Sequence, residues 1–433
     1  MQEVPRHAIV YGASGIIGWA VVDHLLRSYP KARTFPKITA LTNREVKRSE
    51  SHWPGPDISR PNLQLVSGID LRGGDGAALA SALEQAVEDI HTVTHLYYLG
   101  MFQRKKLYVP QINKDRAFTS VPDEVEEVAT NRRMLQNVID AHNLLSPSLQ
   151  FVVFPGGTRG YGIYSPGGIF TPPLTEDMVN KLPSDYAKTV VYPANRELLR
   201  TASEGKGWTW CEVCPDAIIG FTPNGSQFSL AFHWAQYLSL YAYNHGVGPS
   251  VQQVGMAAVK VPFPGNAAGA NSLFSPASAA KIARFIIYAS LHADKCGEGQ
   301  LFNIADHEVP CTYGELWPRL ANWFGLVGVG PPEGSQGWFN KLRVGGLPKG
   351  AELMPGEYVV KHKYIFSRCG RIKAMNRGVS AGSGQLDSIG HWLTFNRQLS
   401  LEKLKKTGFE GNTDPYQGWI DSFQMFRIAG LIL

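Results

Sequence analysis

Three glycines recur at intervals of three in Gly12-Ala13-Ser14-Gly15-Ile16-Ile17-Gly18. Glycine lets a backbone turn tightly and approach a phosphate without a β-carbon in the way. A helix opening at such a turn aims free N–H groups and the positive end of its dipole at one point. The segment therefore predicts a pyrophosphate cradle made by Gly12, Ser14, Gly15, Ile16, Ile17 and Gly18. The alternative is a plain turn. The next chemical signal is Thr42-Asn43-Arg44. A dinucleotide site selective for NAD carries an acid at the end of its second strand, to hold the ribose hydroxyls. Here Asn43 and Arg44 stand there instead. A guanidinium grips a 2′-phosphate through charge-assisted bonds, so the pair points to NADPH. Glu45, one residue on, leaves room for NADH, and Arg44 as a solvated surface charge is the bland alternative.

Hydride chemistry at carbon also needs a proton donor or an oxyanion stabiliser at the neighbouring oxygen, a role a tyrosine near a cation can fill. Tyr192 and Arg196 have the spacing of a YxxxK pair, with arginine in place of lysine. Tyr186 is a rival on the same segment. A second segment, Gly156-Gly157-Thr158-Arg159-Gly160-Tyr161-Gly162, follows an apolar run ending in proline. Open α/β sheets bind ligands at the carboxyl ends of their strands, which places Thr158, Arg159 and Tyr161 beside the cofactor. His95 sits inside an apolar run and reads as a core histidine. Cys211 and Cys214 have CxxC spacing within another apolar run, without a matching Cys/His pair, and read as buried thiols rather than metal ligands.

These residues need a scaffold, and the chain supplies alternating short β-rich and helical runs. Strands are predicted at His7–Tyr11, Lys37–Thr42, Leu63–Val66, Val93–Leu99, Gln150–Phe154 and Thr209–Cys214. Helices are predicted at Ile16–Arg27, Ala77–Glu88, Val121–Asn143 and within Leu182–Glu204. Such alternation implies a doubly wound, Rossmann-like parallel sheet with helices on both faces. Beyond about Gly220 the pattern becomes mostly helical, with a buried helix at Ser229–Tyr243 and further helices at Pro276–Leu291, Tyr313–Phe324 and in Leu386–Leu433. The expected division is a nucleotide-binding domain over 1–225, rejoined by 270–310, and a smaller helical cap over 226–269 and 311–433. Within the cap, Gly325–Gly384 is rich in glycine and proline and is expected as loop. At 433 residues, 44% hydrophobic and 18% charged, the chain is globular rather than disordered. A net charge of +6 without a dense basic stripe argues against nucleic acid, and no apolar run is long enough to cross a bilayer. A cytoplasmic monomer or homodimer acting on a small molecule is expected.

The glycine loop, the Arg44 position, the Tyr192 helix and Cys214-Pro215-Asp216-Ala217-Ile218-Ile219-Gly220-Phe221 resemble extended short-chain dehydrogenases/reductases. More narrowly, the chain resembles the progesterone 5β-reductase/iridoid synthase-like group. That group carries T-G-T-K-H-Y, a downstream tyrosine and R-P-G-x-I-x-G-F, read here as Gly157–Tyr161, Tyr192 and Pro215–Phe221. Val93–Tyr98, Asn131, Phe302-Asn303-Ile304 and Gly418–Asp421 match as well. The resemblance implies NADPH-dependent reduction of an activated carbon–carbon double bond in an apolar α,β-unsaturated carbonyl compound of specialised metabolism. It implies Tyr192 and Arg159 as the catalytic pair, Arg159 standing where the group has lysine and Gly160 where it has histidine. Asp70 and Leu71 would meet the adenine, with Leu99, Gly100, Thr158, Pro215 and Ile218 completing the cofactor contacts. Tyr98, Met101, Phe102, Tyr161 and Phe221 would wall the substrate. Two alternatives stay open: a cyclase or isomerase without net reduction, which the changed lysine motivates, and a carbonyl reductase, which the absence of an intact YxxxK pair disfavours.

Overall fold

A computed structural model describes residues 5–101, 121–226, 229–247, 258–333, 354–381 and 385–433. Seven strands form one sheet: β1 (His7–Tyr11), β2 (Lys37–Thr42), β3 (Asn62–Ser67), β4 (His95–Tyr98), β5 (Phe151–Pro155), β6 (Thr209–Pro215) and β7 (Gln300–Ile304). Their spatial order is β3-β2-β1-β4-β5-β6-β7, and every neighbouring pair is parallel. β1 is buried at all five positions and β4 at all four, as strands covered by helices on both faces must be. The order reverses between β1 and β4, and such a switch point opens a crevice at the carboxyl ends of the strands. Both the glycine loop after β1 and residues 99–101 after β4 lie there.

Helix α1 (Ile16–Leu26) packs with Ala279–Leu291 on one face, over a core that includes Val21, Leu25, Ile282 and Ile286. Helices α2 (Gly76–Ala86), α3 (Val121–Leu145) and α4 (Val191–Ser203) cover the other, over Leu83, Leu135, Val138 and Leu199. Residues 279–304 thus return to the sheet from beyond the first half of the cap sequence. The C-terminal region is helical and has its own core around α5 (Leu230–Asn244). Trp234 of α5 stacks on Trp419 at 5.2 Å and meets Trp317 edge-on at 5.4 Å. A helix hydrophobic on all sides has to be buried, and α5 nearly is. Gly325–Gly384, expected as loop, contains the helices Pro355–His362, Tyr364–Arg368 and Ile372–Met375 within its described part. They are short enough for glycine and proline to mark their ends without breaking their interiors. No helix among the described residues is long and apolar enough to cross a membrane.

Candidate active site

Backbone constraint builds the first part of the site. Gly12 has φ +75°, and a β-carbon there would lie 2.5 Å from the Leu99 carbonyl oxygen. At Gly18 it would lie 2.2 Å from the Gly12 oxygen, so α1 and the loop touch main chain to main chain. Helix α1 starts after Gly15 with no side-chain cap and no acid in its first turn, leaving its first N–H groups open to an anion. Thr222 Oγ1 donates to the Ser14 carbonyl at 2.8 Å, and Gly220 lies against Ile16, so the loop is clamped by the segment that follows β6.

This loop borders a cleft of about 240 Å³ lined by Gly12, Ser14, Gly15, Asn43, Asp70, Leu71, Leu99, Gly100 and Met101, all predicted for the site. Ile16, Ile17 and Gly18 follow in the first turn of α1. Arg44 is exposed at the tip of β2 and does not line the cleft itself; among the described residues no carboxylate pairs with it. Thr42 Oγ1 fixes the backbone there, donating to the Arg44 carbonyl at 2.8 Å. Arg72, which the sequence pattern does not single out, lines the cleft and clasps Asp70 through two bonds of 2.8 Å. That pairing holds the Asp70 carboxyl below its ordinary range. An acid and a base two residues apart just after a strand are the available signal.

The second part of the site is a small hollow of about 10 Å³, room for one water-sized group, lined by Met101, Glu127, Val128, Asn131, Arg159, Thr189, Val191 and Tyr192. Met101 borders both the hollow and the cleft. Tyr192 enters from the first turn of α4 and is only 6% exposed. Two glycines make room for it. A β-carbon at Gly157 would lie 2.8 Å from the Tyr192 hydroxyl, and one at Gly160 would lie 3.2 Å from the ring. Any larger residue at 160 therefore crowds the phenol. The Tyr192 hydroxyl bonds to no described protein atom. Burial raises its pKa above the ordinary phenol value, and the positive charge of Arg159 opposes that rise in part.

Arg159 comes from the turn Thr158–Tyr161 after β5. Its Nη2 donates to the Thr189 carbonyl at 3.2 Å, its Nη1 lies 3.6 Å from Glu127 Oε1, and its guanidinium sits 4.8 Å from the Tyr164 ring centre. Burial acts against its charge, but Tyr164, Tyr192 and Glu127 outweigh this and raise its pKa. Asn131, one turn along α3 from Glu127, donates to the Glu127 carbonyl at 2.9 Å. Glu127 is a second site residue that the sequence pattern does not single out. Its i,i+4 relation to Asn131 on one helix face is the signal.

Several predicted residues lie elsewhere. Arg196 is not a partner of Tyr192: it reaches β6, 2.8 Å from the buried Glu212 carboxylate, which would otherwise be an uncompensated charge. Tyr161 lines neither the cleft nor the hollow: its hydroxyl donates to Asn303 of β7 at 2.7 Å inside the core. Phe221 is also core, packed edge-on to Trp19 at 4.9 Å and against Phe426 at 5.4 Å. Thr158 turns inward and donates to Asp216 at 2.8 Å, and Asp216 in turn pairs with Arg397, which is 1% exposed. Tyr98 is buried behind Gly100 rather than facing the hollow, its ring 3.9 Å from where a Gly100 β-carbon would be. Pro215 ends β6, its carbonyl 3.9 Å from the position of a Gly157 β-carbon. Ile218, half-buried, pairs with Ala277 beyond it. The rival Tyr186 is committed to the Arg159 carbonyl at 3.0 Å. Phe102 lies outside the described residues.

Comparison with known proteins agrees with this frame. The family described as the PRISE-like Rossmann-fold domain matches residues 8–432. The chain is similar to a protein named short chain dehydrogenase sirQ of Leptosphaeria maculans, 29% identical over 98% of this chain and 97% of the relative. It is also similar to (S)-8-oxocitronellyl enol synthase ISY1 of Nepeta cataria, 21% identical over 99% and 95% of the two chains. Among solved structures, a GDP-D-glycero-L-gluco-heptose synthase of Campylobacter jejuni, crystallised in the presence of NADPH, superposes with a TM-score of 0.56. It is 11% identical over 99% of both chains, a likeness of fold.

Proposed function

The chain belongs to the PRISE-like Rossmann-fold family and is an oxidoreductase of the short-chain dehydrogenase/reductase type; on that premise we propose that it reduces the carbon–carbon double bond of an α,β-unsaturated carbonyl compound with NADPH. The cleft suits a dinucleotide, since its glycine loop is closed so tightly that a β-carbon at Gly12 or Gly18 would overlap backbone. Gly12, Ser14 and Gly15 would hold the pyrophosphate. Asn43 and Arg44 would hold the 2′-phosphorylated ribose, and Asp70, Leu71 and Arg72 would border the adenine. When bound, NADPH supplies the hydride equivalent that ends on the β-carbon.

Tyr192 donates a hydrogen bond to the carbonyl oxygen, and the bond strengthens as that oxygen acquires enolate charge. Its raised pKa keeps it a phenol at neutral pH, so it acts as a donor and not as a base. The fixed charge of Arg159 favours negative charge developing beside it. Water supplies the proton that completes the α-carbon, and the net change is two added hydrogens. Met101, Val128 and Val191 give the hollow an apolar wall. The Nepeta relative is named for an enol product, which supports a site able to hold enol or enolate oxygen.

One observation carries this reading. The Tyr192 hydroxyl, almost buried yet bonded to no described protein atom, belongs to a hollow that shares Met101 with the glycine-loop cleft. The test is turnover of a panel of cyclic and open-chain enones by the wild type and Tyr192→Phe, with NADPH affinity measured alongside. Loss of turnover at unchanged NADPH affinity is expected; equal turnover by both proteins overturns the assignment.

A further inference from the structure

The hollow before Tyr192 has an apolar side and a charged side. On the charged side Glu127 and Arg159 face each other with little of their hydrogen-bonding capacity used. Their closest atoms are 3.6 Å apart, an ion pair beyond hydrogen-bond distance. The Glu127 carboxylate accepts no hydrogen bond from any described residue. Arg159 makes one long bond, to the Thr189 carbonyl, and its Nε is sealed from solvent without an acceptor. The Arg159 and Glu127 side chains are 23% and 20% exposed, so bulk water reaches only part of either.

A half-desolvated carboxylate with open lone pairs is costly unless something donates to it. Here the place for a donor is the hollow itself, which Glu127, Arg159 and Tyr192 line together. Tyr192 is itself a donor and supplies a carbonyl's need. Glu127 is an acceptor and leaves a second need, for a donor on the same ligand. Sites built to hydrogen-bond a substrate group reject the analogue lacking it far more strongly than apolar walls reject a change in size.

We propose that Glu127 is a specificity-determining residue that accepts a hydrogen bond from an O–H or N–H group carried by the substrate close to its conjugated carbonyl. Arg159 remains its counter-ion, 3.6 Å away. This rests on the reductase reading above and narrows its substrate class: an unsaturated carbonyl compound with a hydroxyl or amide N–H near the carbonyl, in place of a plain hydrocarbon enone.

The experiment compares kcat/KM for matched pairs on wild type, Glu127→Ala and Glu127→Gln. One pair is 4-hydroxycyclohexenone and cyclohexenone, for a hydroxyl. The other is an unsaturated six-membered lactam and the corresponding lactone, for an amide N–H. The wild type should favour a donor-bearing member by roughly 10- to 100-fold, the worth of a hydrogen bond to a charged group. Glu127→Ala should lose that preference through KM, and Glu127→Gln, which keeps an acceptor oxygen, should retain part of it. No preference in the wild type, or an equal loss for both members in Glu127→Ala, overturns the proposal. If no enone is reduced, the reductase reading fails separately. Binding of 3-hydroxycyclohexanone against cyclohexanone to the NADPH-loaded protein then decides. A hydroxyl preference abolished by Glu127→Ala sustains the subsite, and equal binding refutes it.

Discussion

The glycine-loop cleft and the Tyr192 hollow share Met101 but are built in opposite ways. The cleft is a backbone object. Gly12, Gly18 and Leu99 meet main chain to main chain, and few of its defining contacts depend on which side chain is present. The hollow is a side-chain object. Met101, Arg159, Tyr192 and the α3 pair Glu127 and Asn131 come from four separate stretches of the sheet and its helices, and two of the five face each other as charges. A region made of backbone sterics binds one fixed chemical shape. A region made of converging side chains chooses what reacts. Substitutions should therefore separate the two: changes in the cleft should alter cofactor affinity, and changes in the hollow should alter turnover.

The largest expected effect is at the phenol. Tyr192→Phe should lower kcat by about 10²–10⁴, the usual worth of a positioned acid, with NADPH affinity unchanged by calorimetry. A parallel loss of cofactor binding would erase the distinction between the regions. Next comes Gly157→Ala. Its β-carbon would fall 2.8 Å from the Tyr192 hydroxyl and displace it, so kcat should drop on the order of 10²-fold, the cost of about an ångström of misplacement. A thermal melt close to that of the wild type would show that the phenol moved while the fold held.

At the other end, Arg44→Ala should weaken NADPH binding by about 1.5–3 kcal/mol and leave NADH binding alone, because only the 2′-phosphate is lost to it. Equal weakening of both cofactors would move Arg44 to a general electrostatic role. The smallest effect is on pH. A group titrating as an acid with a pKa above 10.0 keeps its proton through neutral and mildly alkaline conditions. The alkaline limb of kcat, set by loss of that proton, should therefore lie above pH 10, and a limb near neutrality would mean that Tyr192 works as a phenolate.

The same contrast explains what is legible in the sequence. Backbone constraint is local, so the spacing of Gly12, Gly15 and Gly18 is enough to announce the cleft, and the alternating runs are enough to announce the sheet. The hollow depends on which way side chains turn after a strand ends. Thr158 and Tyr161 share the turn of Arg159, yet Thr158 bonds to Asp216 and Tyr161 to Asn303, partners 58 and 142 residues away. Arg196 follows Tyr192 by one helical turn, a spacing that fits a cation partner or a solvated charge equally, but Glu212 of β6 claims it. Phe221 reads as a wall of the substrate pocket and serves the core between α1 and the helix Gln417–Ile428. Glu127 shares a helix face with Asn131, but that spacing alone does not single it out, because a glutamate on a long helix ordinarily faces water.

Following hydrogen from the cofactor tests the role of Tyr192 and the reaction together. Wild type and Tyr192→Phe would be incubated with an enone and NADPH carrying deuterium at either face of nicotinamide C4, and the product would be read by mass spectrometry and NMR. Ene-reduction places one deuterium at the β-carbon of a saturated ketone, from one labelled face, in the wild type, and that product should be largely lost in Tyr192→Phe. Deuterium at the carbonyl carbon of an alcohol, or a product of unchanged mass, would contradict it.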